Sequence, residues 1–151
     1  MFSRFYTALL IFSLCFDLGS KYLARITLSM IEPIVLIPQV LSLQLVYNSG
    51  AAYGILQGQT TFLLVVTAII IVCAFWFQKY FDTSVWSRLG LTMVISGAFG
   101  NGLDRLVYGQ VTDMFNIHII PVFNVADICI NIGMVCFIID FILTYRNDAQ
   151  H

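Results

Sequence analysis

Four segments of the chain are apolar for about the length of a membrane span. They lie at approximately 5–25, 60–79, 86–105 and 123–145. A helix needs about 20 mainly apolar residues to cross the hydrocarbon core of a bilayer. The second segment is the clearest, because Thr67 is its only distinctly polar residue between positions 62 and 77. The pattern predicts a mainly α-helical membrane protein, a bundle of four transmembrane helices that forms a single domain over residues 1–151.

The first segment has a feature of secretory signal peptides, since Arg4 precedes an apolar run. No small-x-small cleavage pattern follows that run, and the segment continues through Asp17 and Lys21 to the length of a full helix. We therefore expect the segment to be the first span rather than a cleaved leader.

Two connections between the spans have a different pattern. Residues 27–59 contain Pro33 and Pro38, and then alternate apolar and polar side chains over positions 41–45. Such alternation is typical of a half-buried strand. The connection 107–122 is bounded by Gly109 and Pro121. We expect a small β-platform and a loop beside the helix bundle.

The composition excludes several classes of protein. Hydrophobic residues make up 60% of the chain and charged residues 10%, whereas soluble proteins average about 25% charged residues. A soluble domain, a disordered tail and a nucleic-acid-binding arm are therefore excluded, and no nucleic-acid partner is expected.

The cysteines and glycines match no metal or cofactor motif. Each cysteine lies in or at the edge of an apolar stretch, so we interpret all of them as small core residues. They are Cys15, Cys73, Cys129 and Cys136. No Walker A or Gly-x-Gly-x-x-Gly sequence occurs. We expect neither a metal site nor a cofactor.

The basic residues predict how the spans are oriented. Four spans place both termini on the same side of the membrane. That side holds Arg4, Lys79, Arg88 and Arg146, and the other holds Arg25 and Arg105. The positive-inside rule then puts the termini in the cytoplasm, with the two longer connections at the extracytoplasmic face.

Five acidic residues lie in or beside the predicted spans, where an ionisable group is costly and is often functional. Asp17 and Lys21 are four residues apart, so they share one helix face. Their pairing either neutralises the helix for insertion or supports a site. Asp104 and Arg105 are interpreted as a locally compensated pair at the interface. Asp140 lies thirteen residues after Asp127, about 20 Å along a helix, and is given no catalytic role.

Asp113 and Asp127 form the strongest candidate site. Asp113 follows the third span, Asp127 begins the fourth, and the short connection keeps those ends adjacent. Two carboxylates in close contact raise the pKa of one of them, as in the dyad of aspartic proteases. The alternative is two separately solvated interfacial acids.

Five motifs, in order across nearly the whole chain, resemble those of bacterial lipoprotein signal peptidases, also called signal peptidase II. They are Asp17-Leu18-Gly19-Ser20-Lys21, Asn48-Ser49-Gly50-Ala51-Ala52-Tyr53-Gly54, Ser96-Gly97-Ala98-Phe99-Gly100-Asn101-Gly102-Leu103-Asp104-Arg105, Val111-Thr112-Asp113-Met114 and Phe123-Asn124-Val125-Ala126-Asp127. The chain departs from the family at Tyr53, where Phe is usual, and at Ser96, where Gly is usual.

The resemblance implies an aspartic endopeptidase of the bacterial inner membrane. Its substrates would be prolipoproteins whose cysteine already carries diacylglycerol, cut just before that cysteine, with membrane lipid as the surroundings. By the family's pattern Asp113 and Asp127 are catalytic. The residues matching the family's supporting positions are Asn48, Asn101, Arg105, Asn124, Asp17 and Lys21. We expect the protein to act as a monomer.

Other interpretations of the same residues stay open at this point. Asn48 and Asn101 stand beside glycines and could serve turns or caps, and the small residues near Gly97 could serve helix packing. A serine triad of Ser49, His118 and Asp113 is disfavoured because no Gly-x-Ser-x-Gly elbow exists. A proton or cation pathway and a purely structural membrane subunit are the competing functions.

Overall fold

A computed structural model describes residues 4–51, 55–80 and 84–148. Helices occupy all four apolar segments, at α1 Arg4–Thr27, α2 Thr60–Phe77, α3 Val85–Tyr108 and α4 Val125–Asp148, with a 3-10 turn at Gln78–Tyr80. The strands are β1 Ile34–Ile37, β2 Leu41–Asn48 and β3 Val111–Asn116. The protein is therefore mainly helical, with a small sheet formed by the two connections that the sequence distinguishes from the spans.

The helices differ in their suitability to cross a membrane. In the described part of the chain, α1 and the segment Val125–Arg146 of α4 are long and apolar enough to do so. The apolar part of α2, Thr60–Trp76, is shorter. Helix α3 is long, but its buried residues are mostly small or polar. It packs against the other three helices. The number of spans stays a prediction.

Close packing around α3 depends on glycine at two positions. A side chain at Gly97 would overlap the backbone carbonyl of Ala126 in α4, and one at Gly100 would overlap the carboxylate of Asp17 in α1. Glycine lets helices approach closely in this way. The packing brings α1, α3 and α4 together at the end of α3 that leads to β3.

The three strands form an antiparallel sheet in the order β1-β2-β3. Strand β2 contains the predicted alternating segment, and its Leu43 pairs with Ile34 on one side and Phe115 on the other. Phe123 continues the pairing beyond β3, because its backbone exchanges hydrogen bonds with Phe115 at 2.8 and 3.0 Å. This pairing aligns the chain just before α4 with the end of β3.

The prediction that all four cysteines lie in the core is only half correct. Cys129 and Cys136 are buried, whereas Cys15 and Cys73 are exposed on the surfaces of α1 and α2. An apolar helix in a membrane protein has an outward face as apolar as its core, because lipid tails replace water. Hydropathy does not separate the two faces.

Candidate active site

Asp113 and Asp127 line the same cavity, which has a volume of about 430 Å³. Asp113 is in β3 and is only 2% exposed. Asp127 is in the first turn of α4. The polar side chains that line the cavity are Asn48, Asn101, Arg105, Asp113, Asp127 and Asn131. The remaining lining residues are apolar.

Asn124 links the two carboxylates. Its side-chain Nδ2 donates to Asp113 Oδ1 at 2.6 Å, and its backbone N–H donates to Asp127 Oδ2 at 3.1 Å. The Asn124 Oδ1 in turn accepts from the Asp127 backbone N–H at 3.0 Å. This reciprocal pair is a capping box that starts α4. The same residue thus begins the helix and holds the two acids at one point.

Each carboxylate also accepts a hydrogen bond from a second amide. Asn48 Nδ2 donates to Asp113 Oδ2 at 3.1 Å, and Asn101 Nδ2 donates to Asp127 Oδ1 at 2.8 Å. The turn interpretation of Asn48 holds as well, since its Oδ1 accepts from the Gly50 backbone N–H at 2.9 Å. All four oxygens of the acid pair are therefore oriented by N–H donors from β2, α3 and the start of α4.

Burial raises the pKa of Asp113 from its ordinary 3.8 to about 7, and the neighbouring charge of Asp127 adds to the rise. The amide donors of Asn124 and Asn48 act in the opposite direction. Desolvation and a like charge both disfavour the ionised form. A proton is therefore available on Asp113 near neutral pH, which is the condition an acid–base pair requires.

Asp17 and Lys21 form a buried ion pair at 2.8 Å that reaches the site. Lys21 Nζ also donates to Asn101 Oδ1 at 2.9 Å, and Asp17 Oδ1 accepts from the Ala126 backbone N–H at 2.7 Å. Both interpretations of the pair are therefore compatible with the geometry. The charges are neutralised locally, and the pair also contacts residues adjoining Asp127.

The predicted local pairing of Asp104 with Arg105 is wrong. Asp104 accepts from Arg25 at 3.1 Å and from the Thr112 backbone N–H at 2.8 Å. Arg105 instead donates to the Gly50 backbone carbonyl at 3.0 Å and lines the cavity. Successive residues of a helix point in different directions, so they rarely pair. Arg105 lines the same cavity as Asp113 and Asp127, and Asp104 anchors the strand that carries Asp113.

Sequence reasoning missed two residues near the site, Arg25 and Asn131. Arg25 donates to Thr112 Oγ1 at 2.8 Å as well as to Asp104, and its guanidinium lies 4.3 Å from the centre of the Tyr108 ring. A signal for Arg25 was present, because it follows Lys21 by four residues and extends the same helix face. Asn131 lines the cavity four residues after Asp127.

The disfavoured serine triad does not form. His118 Nε2 lies 3.5 Å from Ser42 Oγ, so the histidine approaches a serine other than Ser49. The departure at Tyr53, with Ala52 and Gly54 of the same motif, lies outside the described residues.

No group of three or more His, Cys, Asp or Glu side chains with the spacing to hold a metal ion is found within residues 4–51, 55–80 and 84–148. The polar groups that line the cavity are two carboxylates, three amides and one guanidinium.

Comparison with known proteins agrees with the motifs. The family model for signal peptidase (SPase) II matches residues 9–143. Lipoprotein signal peptidases similar to this chain include that of Enterococcus faecalis, 38% identical over 84% of this chain and 81% of the relative. The Staphylococcus aureus protein is 32% identical over 93% of this chain and 89% of its own length.

The fold also matches solved structures. A bacterial membrane enzyme determined by the in meso method at 2.3 Å superposes with a TM-score of 0.89, at 29% identity over 97% of this chain and 92% of the other. A second one, at 1.9 Å, gives a TM-score of 0.82 at 28% identity, over 93% of this chain and 94% of the other. The resemblance drawn from the motifs is confirmed, and the chain belongs to the signal peptidase II family of membrane peptidases.

Proposed function

We propose that this protein is an aspartic endopeptidase that removes the signal peptide from diacylglyceryl-modified prolipoproteins, cutting just before the lipidated cysteine. The observation that carries the proposal is the pair Asp113 and Asp127, held by Asn124 in one cavity. The family assignment supports the substrate class. No cofactor enters the reaction.

Asp127 is proposed as the general base. It accepts hydrogen bonds from the Asn124 backbone and the Asn101 side chain, and it lies in the first turn of α4, where the helix dipole favours an anion. In its ionised form it takes a proton from a water molecule as that water attacks the scissile carbonyl. This is the role of the charged member of an aspartic dyad.

Asp113 is proposed as the general acid. Its pKa of about 7 leaves it protonated in a large fraction of molecules at neutral pH. It donates that proton to the carbonyl oxygen as the tetrahedral intermediate forms. When the carbon–nitrogen bond breaks, the proton held by Asp127 passes to the leaving amine, which is the amino group of the lipidated cysteine, and Asp113 regains its proton from the collapsing hydroxyl.

Arg105 is proposed to orient the substrate backbone. Its guanidinium lines the cavity and uses one donor on the Gly50 carbonyl. A guanidinium has five N–H donors in a fixed fork, and we propose that another of them binds a carbonyl of the precursor beside the scissile bond.

The proposed membrane arrangement has all four helices crossing the bilayer, with the termini in the cytoplasm and the site near the extracytoplasmic face of the bacterial inner membrane. The polar site residues of α1 and α3 lie towards the C-terminal ends of those helices, and Asp127 begins α4, so the site is at one end of the bundle. Asp140 accepts hydrogen bonds from Ser84 and Ser87, at the start of α3. We propose a single domain acting as a monomer.

The proposal is tested with a synthetic precursor peptide in two forms, one with a diacylglyceryl cysteine and one with a free cysteine. Mass spectrometry of the products identifies the bond that is cut. We expect one product that begins with the lipidated cysteine and no cleavage of the unmodified peptide. Asp127-dependent proton flux in liposomes without cleavage would instead favour the pathway class.

A further inference from the structure

An apolar groove of about 500 Å³ adjoins the acid-lined cavity. The two spaces share three lining residues, Ile120, Phe123 and Asn131. From there the groove follows α4 past Val135, and Trp86 at the start of α3 also lines it. Its lining residues on α4 extend from position 128 to 139, about 16 Å along a helix. A continuous path therefore leads from the acids along the outside of α4.

The lining of the groove matches a hydrocarbon chain. The groove extends about 16 Å along α4, and no charged side chain is among its lining residues. A long, narrow apolar surface that starts at the acid-lined cavity fits an acyl chain attached to a group bound in that cavity.

Asn131 lies where the acid-lined cavity meets the groove. It follows Asp127 by four residues, one turn of α4, and its Nδ2 donates to the Asp127 backbone carbonyl at 2.8 Å. The amide has a second N–H, and the side chain is exposed to the junction of the two spaces. A polar side chain on the outward face of an apolar helix is costly in a membrane, so its presence indicates a function.

We infer that the groove binds one acyl chain of the precursor's diacylglyceryl group and that Asn131 donates to the ester carbonyl of that chain. The inference rests on the proposed function. Cleavage immediately before the lipidated cysteine leaves only the cysteine side chain, its thioether and the glycerol carbons between the scissile bond and the esters. Asn131 lies about 6 Å along the helix from Asp127, at the point where those esters leave the cavity and the chain enters the groove.

Binding is measured first, without cleavage. The chain has two tryptophans, so the Trp76→Phe variant leaves Trp86 as the only one, and Asp127→Asn prevents turnover. A precursor with bromine atoms near the end of its acyl chains is expected to quench Trp86 fluorescence saturably. Brominated phospholipid at the same mole fraction is the control. Equal quenching by the two lipids would overturn the inference, because the groove would then hold bulk lipid without preference.

The groove is then blocked with a matched pair of variants in the active protein. Val135 lines the groove, and its neighbour Met134 lies outside it with nearly the same exposure, 54% against 53%. Val135→Trp is expected to raise KM for a dipalmitoyl precursor about fivefold to tenfold while leaving a dibutyryl precursor unchanged, a loss in the range of a few poorly packed methylenes. Met134→Trp is expected to change neither.

Asn131→Leu tests the ester contact. The wild type is expected to cut an ester-linked precursor about threefold to tenfold more efficiently than its ether-linked analogue, the range of one hydrogen bond. In Asn131→Leu the two analogues should be cut equally well. Persistent ester preference in that variant would contradict the role of Asn131.

These outcomes distinguish a failure of the groove assignment from a failure of the proposed function. If the wild type cuts the precursor but Val135→Trp and Met134→Trp behave alike, the groove assignment fails and the peptidase stands. If the wild type cuts no lipidated precursor, the proposed function fails. Selective quenching of Trp86 would then still support acyl-chain binding, and its absence would exclude it.

Discussion

Asn124 donates its side-chain Nδ2 to Asp113 Oδ1 at 2.6 Å while its Oδ1 accepts from the backbone N–H of the helix it caps. The amide and carbonyl halves of this side chain therefore do different things. The carbonyl oxygen begins α4, and the NH₂ group holds the acid of the neighbouring strand.

Asn124→Ser separates those two functions. Serine retains an oxygen that caps a helix, but it has no NH₂ group to reach Asp113. We expect the thermal midpoint to stay close to that of the wild type and kcat to fall about tenfold to a hundredfold, as for a misplaced reacting group. Parallel loss of stability and activity would show that the residue serves only the helix.

The Asp17–Lys21 pair should be needed for folding more than for chemistry. Asp17→Asn leaves Lys21, which is 0% exposed, without its carboxylate at 2.8 Å. Breaking a buried pair costs about 3–5 kcal/mol. Folded protein in membranes, measured by size-exclusion fluorescence, should fall sharply in Asp17→Asn and little in Asp113→Asn. Equal accumulation of the two variants would contradict this account.

The raised pKa of Asp113 predicts how stability depends on pH. The folded pKa of about 7 lies above the ordinary 3.8, so between these values the folded protein binds more protons than the unfolded chain. Stability should therefore fall as the pH rises from about 4 to about 7. The Asp113→Asn variant has no titrating group at position 113, so its thermal midpoint should change less over that pH range. An unchanged pH dependence in the variant would exclude Asp113 as its source.

Asp104 is expected to position Asp113 through Thr112. Its carboxylate accepts from both Arg25 and the Thr112 backbone, and an asparagine has one oxygen for the two donors. We expect Asp104→Asn to lower kcat per folded molecule about tenfold and to leave KM nearly unchanged, since only the placement of β3 is altered. An unchanged kcat per folded molecule would reduce Asp104 to a structural role.

Hydropathy predicted where the helices lie because a long apolar run in a membrane protein has few structural alternatives to a helix. Strand β2 was also predictable in part, since its residues alternate. Strand β1 was not, because Ile34–Ile37 is a short apolar run whose four side chains are all exposed. Such a run does not alternate apolar and polar residues, and that alternation is the pattern by which a sequence predicts a strand.

Contacts in the site between segments close in sequence were predictable. Contacts between segments far apart in sequence were not. The short connection from α3 to α4 made the meeting of Asp113 and Asp127 foreseeable. The contacts of Lys21 with Asn101 and of Arg25 with Asp104 join residues 80 and 79 positions apart. Such contacts depend on how α1 packs against α3, and a single sequence does not encode that in its periodicity.

The central claim is tested most directly by cleavage of the diacylated precursor with wild type, Asp113→Asn and Asp127→Asn at equal folded concentration. Asp140→Asn is the matched control, since Asp140 is an acid of α4 bonded to Ser84 and Ser87. We expect wild type and Asp140→Asn to cut before the lipidated cysteine, and both dyad variants to be folded but inactive. Near-normal cleavage by either dyad variant would contradict the assignment of Asp113 and Asp127 as the catalytic pair.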